Sequence, residues 1–276
     1  MAIVTTVNRP KGPIELNQRF LGRDDSYRSA WLDISRRYPI HELSSRQGHD
    51  ADQVRTLYQH AVREKAWKYD PPEMVLNGIW AIPDYHVLVS LDGDKVAGTV
   101  RVVFLPDANF VFGSCLVIGQ NYRRRGLAIP LILAAMSLAE DVSNQAGKTG
   151  IKGAVLGVDD DPNMLVFHSM WGVRFIDKRA LPFFPPALES ERREERIFGI
   201  RLESGASAIS SDSLAKILTD LQVLYIRLGY PISNAVANAT GLLERFGRND
   251  MLELFGLDEY QRNHGARNSP EAVGFR

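Results

Sequence analysis

Apolar residues in this chain recur in two rhythms. Three apolar runs of strand length, 85–91, 95–105 and 110–118, follow one another with only Asp92-Gly93-Asp94 and residues 106–109 between them. Gly93 supplies the positive φ that a tight hairpin needs, so the three runs predict an antiparallel meander. A shorter apolar run at 153–158 predicts a buried strand. Residues 39–44 predict a first strand, and 173–181 with 196–202 a final strand pair. Elsewhere the spacing is helical. Trp31, Ile34 and Tyr38 put one stripe on a helix over 25–38. Val54, Leu57, Tyr58 and Ala61 mark a second helix, entered through Asp50 and Gln53 at capping-box spacing. Ile129, Ile132, Leu133, Met136 and Ala139 mark a third, with Pro130 in its first turn and Gly147 at its end. Residues 163–171 predict a short helix stopped by Gly172.

Past residue 203 the character changes. Residues 204–212 are small and polar, a linker by composition. Leu214, Ile217, Leu218, Leu221, Tyr225 and Leu228 form a helical stripe ended by Gly229 and Pro231. Val236, Ala239, Leu243 and Phe246 form another, stopped by Gly247, and Asp250 with Glu253 predicts the cap of a third helix. Helices this short need a packing partner, so the leucines are expected to bury on the main domain, on each other or on a second copy in a homodimer. The expected organisation is an N-terminal arm and helix over 1–37, a main domain over 38–203, and a helical extension with a polar tail over 204–276. Residues 1–23, mixed and carrying Pro and Gly, read as a surface arm.

Composition narrows the function classes. The chain has 276 residues, 45% hydrophobic and 24% charged, with Lys+Arg and Asp+Glu both at 33. A net charge of zero argues against a nucleic-acid binder, so any basic patch must be local. Cys115 is the single cysteine, which rules out an intrachain disulfide and fits a reducing compartment. It reads as a small buried residue rather than a nucleophile. The N-terminus lacks the basic-then-apolar order of a signal peptide, and no apolar run reaches the roughly 18 residues that span a bilayer. A soluble, cytoplasmic protein without a membrane partner is expected. The six histidines are scattered without zinc spacing, so no metal is expected. Walker A, G-x-S-x-G and Rossmann glycine patterns do not occur.

The local basic patch lies at Gln120-Asn121-Tyr122-Arg123-Arg124-Arg125-Gly126-Leu127-Ala128, between a predicted strand and a predicted helix. The first amides of a helix lack backbone partners and point ahead of it, and the macrodipole adds positive charge there. Gly126 and Ala128 keep bulk away from the backbone, which suits a pyrophosphate. One or two of the three arginines can reach phosphate oxygens.

Arg123-x-x-Gly126-x-Ala128, with Ile118 before the turn and Leu131 after it, resembles the signature of the GNAT acyl-CoA N-acyltransferase superfamily. The resemblance covers roughly residues 38–203. It implies an α/β fold with a mixed, mostly antiparallel sheet flanked by helices, here with a C-terminal helical extension. It also implies acetyl-CoA or another acyl-CoA as donor and an amine as acceptor, joined by direct attack in a ternary complex. The pyrophosphate would sit on Arg123, Arg124, Arg125, Gly126, Leu127 and Ala128. The pantetheine arm would lie between splayed strands, along Leu116, Val117 and Ile118 after Cys115, and facing 153–158.

A second segment runs from Asp159 through Phe175. It resembles the stretch after the family's fifth strand, where Asn163 opens a helix. Phe167 joins Asn163 as a candidate cofactor contact. His168 stands where the family carries a tyrosine that protonates the leaving thiolate; a histidine can donate too, and titrates nearer neutrality. Its other reading is a histidine with no role. Asp159 is the candidate for handling the amine proton, although Asp159, Asp160 and Asp161 also read as a helix cap and solvated turn. Phe183 and Phe184, between prolines, could wall an acceptor pocket. The alternatives are a long-chain synthase fed by an acyl-carrier protein, and a non-catalytic acyl-CoA-binding module. The acceptor is not readable beyond a small-molecule amine.

Overall fold

Seven strands form one twisted sheet in the order β1-β2-β3-β4-β5-β7-β6. The computed structural model describes residues 12–21, 25–45, 47–63, 76–78, 82, 84–158, 161–177, 197–229 and 250–264. β1 (Ile40–Glu42), β2 (Tyr85–Asp92), β3 (Lys95–Leu105) and β4 (Phe110–Ile118) are antiparallel neighbours. β5 (Gly153–Val158) lies parallel to β4, and β7 (Ile197–Leu202) returns antiparallel to β5. β6 is Arg174–Phe175, with Ile176 and Asp177 already outside it, and residues 178–181 of the expected strand lie outside the described residues. A mostly antiparallel mixed α/β sheet flanked by helices is thus the observed fold.

Both faces of the sheet are covered, which explains why β2 and β3 read as continuous apolar runs rather than as alternations. On one face lies α3 (Ala128–Gln145), packed on Leu88, Val100, Val102 and Phe104. On the other face α2 (His49–Arg63) places Val54 and Tyr58 over Val87, Val89 and Val103. α1 (Asp25–Arg37) precedes β1, and α4 (Pro162–Met170) follows β5. The capping box expected at α2 does not form. Gln53 instead clasps the β2–β3 hairpin, donating to the Asp94 carbonyl at 2.8 Å and accepting from the Val96 amide at 2.9 Å.

The described part of the N-terminal stretch is not a surface arm. Leu16, Phe20 and Leu21 are buried in the α3 core. The Asn17 amide donates to Ser137 Oγ at 2.8 Å, and Arg19 pairs with Glu140 at 2.5 Å. Glu140, itself buried, also accepts from the Ile151 amide at 2.7 Å, so one carboxylate ties the N-terminal stretch, α3 and the approach to β5 together.

The extension begins with β8 (Ala208–Ser210), inside the stretch read as linker, and α5 (Ser211–Arg227). Ser210 caps α5 by accepting from the Ser213 amide at 3.2 Å. Leu214, Ile217, Leu218, Leu221 and Leu224 are buried in the same core as α2 and the sheet. Asp250 and Glu253 do not cap a helix. Met251–Glu253 is β9, paired with β8, because Leu252 and Leu254 are buried while Met251 and Glu253 face out, a period of two. The last described helix, α6, is Leu257–His264 and buries Tyr260. The expected stripe at 236–247 and the Phe183–Phe184 segment lie outside the described residues. Among the described residues no helix is long and apolar enough to cross a membrane.

Candidate active site

The site is built where β4 leaves the sheet. β4 and β5 pair only at Phe110–Phe112 with Gly153–Val155, yet β4 continues to Ile118 and β5 to Val158. Beyond Phe112 the two parallel strands therefore separate and a gap opens between them. A β-bulge lies in that stretch of β4. Thr99 and Arg101 of β3 are two apart but face Val117 and Ser114, three apart, so β4 carries one extra residue. Cys115 sits there at φ 58°, a left-handed conformation unusual for a residue with a Cβ. Fully buried Tyr58 of α2 supports it by donating to the Cys115 carbonyl at 3.3 Å. Burial raises the Tyr58 hydroxyl well above the usual tyrosine range, which keeps it a donor.

After Ile118 the chain makes a 3-10 turn, Gln120–Tyr122, and then the basic turn. Arg124 at φ 63° and Gly126 at φ 77° both take left-handed conformations, which curl the backbone back on itself. No side chain caps α3 at Leu127. The amides of residues 124–129 have no acceptor among the described residues, while Leu131 is the first to donate within the helix, to the Leu127 carbonyl at 3.2 Å. Successive free amides, a helix N-terminus and exposed arginines are the features that favour an anion at such a turn.

The three arginines differ. Arg123 Nε reaches back to the Ile118 carbonyl at 3.4 Å. Arg125 donates to the Tyr38 hydroxyl at 3.3 Å and lies 5.5 Å from the Tyr122 ring centroid. Arg124 has no hydrogen bond or ion pair among the described residues and is exposed. Leu127 is buried, whereas Ala128 is half-buried at the start of α3. Of the strand residues, Val117 is buried and Leu116 and Ile118 are half-buried.

α4 packs on the same face of the sheet as α3. Asp161 is its N-cap, accepting from the amides of Asn163 at 2.9 Å and Met164 at 3.2 Å. Asn163 is exposed in the first turn, and half-buried Phe167 packs against the apolar cluster that also takes Leu116 and Ile118. His168 is 8% exposed, wedged between Phe167 and Trp171 with ring centroids at 5.0 and 5.9 Å. Its Nδ1 is buried with no hydrogen-bond partner among the described residues. Burial lowers its pKa from 6.5 to about 4. This runs against the expectation that it titrates near neutrality, because desolvation penalises the imidazolium. Asp159 and Asp160 lie outside the described residues. Among the described residues, no group of His, Cys, Asp and Glu could hold a metal ion.

Residues 52–163, from α2 through the basic turn to the start of α4, match the model of the acetyltransferase (GNAT) family. Over that segment the chain is similar to GNAT acetyltransferases. His168 and Phe167 lie just beyond the matched residues. No curated protein matches the chain. Among solved structures, an acetyltransferase from Streptococcus agalactiae is similar at 17% identity and a TM-score of 0.45, over 60% of this chain and 98% of that one. A GNAT-family acetyltransferase from Staphylococcus aureus is similar at 18% identity and a TM-score of 0.43, over 59% of this chain and 99% of that one. An aminoglycoside 6'-N-acetyltransferase complexed with coenzyme A is similar at 14% identity and a TM-score of 0.43, over 59% of this chain and 96% of that one.

Sequence reasoning located the turn but missed what supports it. Tyr58 under the bulge, and Ile34 and Tyr38 against the turn, had shown only as stripe residues.

Proposed function

We propose that this chain transfers an acetyl group from acetyl-CoA to the nitrogen of a small-molecule amine. The observation that carries the reading is the uncapped N-terminus of α3, with the free amides of residues 124–129 placed at the end of the strand that borders the β4–β5 gap. The family match over residues 52–163 supports it. Acetyl-CoA supplies the acyl group, its thioester carbon taking the amine and its sulfur leaving.

The residues divide that work. The amides of 124–129 and Arg124, with Arg123 or Arg125, hold the pyrophosphate. The open edge of β4 over Leu116, Val117 and Ile118 is the track for the pantetheine arm, and Phe167 and Asn163 flank it. The chain's contribution is largely positioning, which by itself removes much of the barrier to joining two bound reactants.

His168 enters as a neutral imidazole. With a pKa of about 4, roughly one molecule in a thousand is protonated at pH 7, so it is not a cationic acid. A neutral N–H can still donate a hydrogen bond to the departing sulfur and stabilise its charge. Asp159 is the candidate to take the amine proton.

Calorimetry with acetyl-CoA, then mass spectrometry of products from a broad pool of amines, tests the reading. Binding with formation of an N-acetylated amine is expected. No binding of acetyl-CoA or CoA to the folded protein would overturn it. The exposed arginines at the mouth favour one second reading, an acyl-carrier protein as donor, because an acidic carrier would be drawn to them. Acyl transfer from a carrier but not from CoA selects that reading.

A further inference from the structure

The turn that holds the free amides meets the α3 core only at its ends, through Ile118 and Ile129. It rests on a small cluster of its own, in which Tyr38, Ala97 and Leu127 are buried and Ile34, Ile118 and Tyr122 pack against them. Two of these residues come from the end of α1 and the residue after it, outside the segment that matches the family. We infer that Tyr38 and Ile34 are positioning residues for the donor's pyrophosphate, setting the shape of the turn without touching the donor. This inference rests on the acetyl-CoA reading of the site.

Three contacts carry it. The Tyr38 hydroxyl accepts from Arg125 at 3.3 Å, fixing the one arginine whose guanidinium also lies over Tyr122. The Tyr38 and Tyr122 rings meet edge to face with centroids 6.1 Å apart, tying α1 to the 3-10 turn ahead of the arginines. Ile34 Cδ1 lies 2.8 Å from where a Cβ on Gly126 would be, so α1 presses directly on the left-handed glycine of the turn. Tyr38 is itself fixed. It is 3% exposed, its amide donates to the Ile34 carbonyl at 2.9 Å, and its own carbonyl accepts from Ser90 Oγ at 3.3 Å. The path runs from the edge of the sheet, through Tyr38, to the turn. The left-handed conformation at Arg124 costs free energy and persists only where the surroundings hold the turn, while Gly126 adopts its own freely. Here the surroundings are Tyr38, Ile34 and Tyr122.

The mechanism makes a specific demand. If Tyr38 acts through the turn, its loss weakens ligands that carry the pyrophosphate and spares those that lack it. Calorimetry with coenzyme A and saturation-transfer NMR with S-acetyl-pantetheine, on wild type, Tyr38→Phe, Tyr38→Ala and Ile34→Ala, separates the cases. Tyr38→Ala should weaken coenzyme A by about tenfold or more, the loss of one or two charge-assisted hydrogen bonds, with S-acetyl-pantetheine unchanged. Tyr38→Phe keeps the ring contacts and should recover most of the affinity. Ile34→Ala changes a half-buried side chain, so it tests the same point should Tyr38→Ala not fold, and it should weaken coenzyme A in the same selective way. Unchanged coenzyme A affinity in folded Tyr38→Ala or Ile34→Ala overturns the inference. So does equal weakening of both ligands, which is the mark of general damage. Failure of wild type to bind coenzyme A overturns the acetyl-CoA reading itself, and this inference with it.

Discussion

Replacing His168 with methionine removes a buried titratable ring while keeping an apolar side chain that can adapt to the same space. In the folded protein the His168 pKa is lowered to about 4 by burial, against 6.5 for the free side chain. The sign follows from proton binding. Between those two values the unfolded chain takes up a proton at His168 and the folded chain does not, so acid pulls the equilibrium toward unfolding. The stability associated with the neutral ring is fully present above pH 6.5 and is lost as the pH falls toward 4. At pH 5 the linkage amounts to about 2 kcal/mol, rising to about 3 kcal/mol below pH 4. Urea unfolding of wild type and His168→Met at pH 7.5 and pH 5.0 measures it. Wild type should lose about 2 kcal/mol more than the variant over that interval, a midpoint difference of roughly 1 M urea. At pH 7.5 the variant should be close to wild type in stability, because it also removes the unpartnered Nδ1. Equal losses in the two proteins would falsify the burial argument, and with it the case for a neutral imidazole at the site.

Three further outcomes are expected. Gly126→Glu should abolish coenzyme A binding in calorimetry by setting a carboxylate against phosphate; Gly126→Ala, which shares the strained φ of 77° and the Ile34 contact, separates charge from shape, and unchanged affinity in folded Gly126→Glu removes the turn as the site. Asp220→Ala should destabilise by about 1–3 kcal/mol in urea unfolding, since buried Asp220 accepts from the Ala108 amide at 2.9 Å and its loss leaves that amide unpaired. Deleting residues 210–276 should leave the chain insoluble or unfolded. It strips Leu214, Ile217, Leu218, Leu221 and Leu224 from the core, at roughly 1.5–3 kcal/mol each, and a truncated chain that unfolds cooperatively at the wild-type midpoint contradicts this.

What the sequence made legible was local. The meander, α3 and the basic turn each declare themselves within a dozen residues, through periodicity, a hairpin glycine or a short motif. The misreadings came where distant packing decides. Asp250 and Glu253 have helix-cap spacing, but Leu252 and Leu254 alternate, and pairing with β8 settles the choice for strand. Leu16, Phe20 and Leu21 have no clear rhythm amid Pro and Gly, and Ser137, which holds the Asn17 amide between them, lies 120 residues from it. The bulge at Cys115 leaves no mark in the sequence, because one extra residue in an apolar strand is as apolar as its neighbours. The His168 pKa could not be read from its identity, since burial beside Phe167 and Trp171 is a tertiary fact. Tyr38 and Ile34 were visible as a helical stripe, but not as the support of a turn far along the chain.

The gap between β4 and β5 follows from constraints on its two sides. β5 is held along its whole length by β7, with Gly153–Val158 paired to Ile197–Leu202. β4 is held to β3 on its other side, and the bulge at Cys115 redirects it under the grip of Tyr58. Neither strand can close on the other without breaking its outer pairing or flattening the bulge. A donor that runs along β4 therefore breaks no strand pairs on entering. The ordering of the sheet is met during folding, before any ligand arrives, and that is the condition under which binding free energy goes into affinity and alignment rather than rearrangement. The same reasoning applies at the turn, where α1 holds the left-handed residues in place, and it explains why residues outside the family-matched segment bear on how the donor is held.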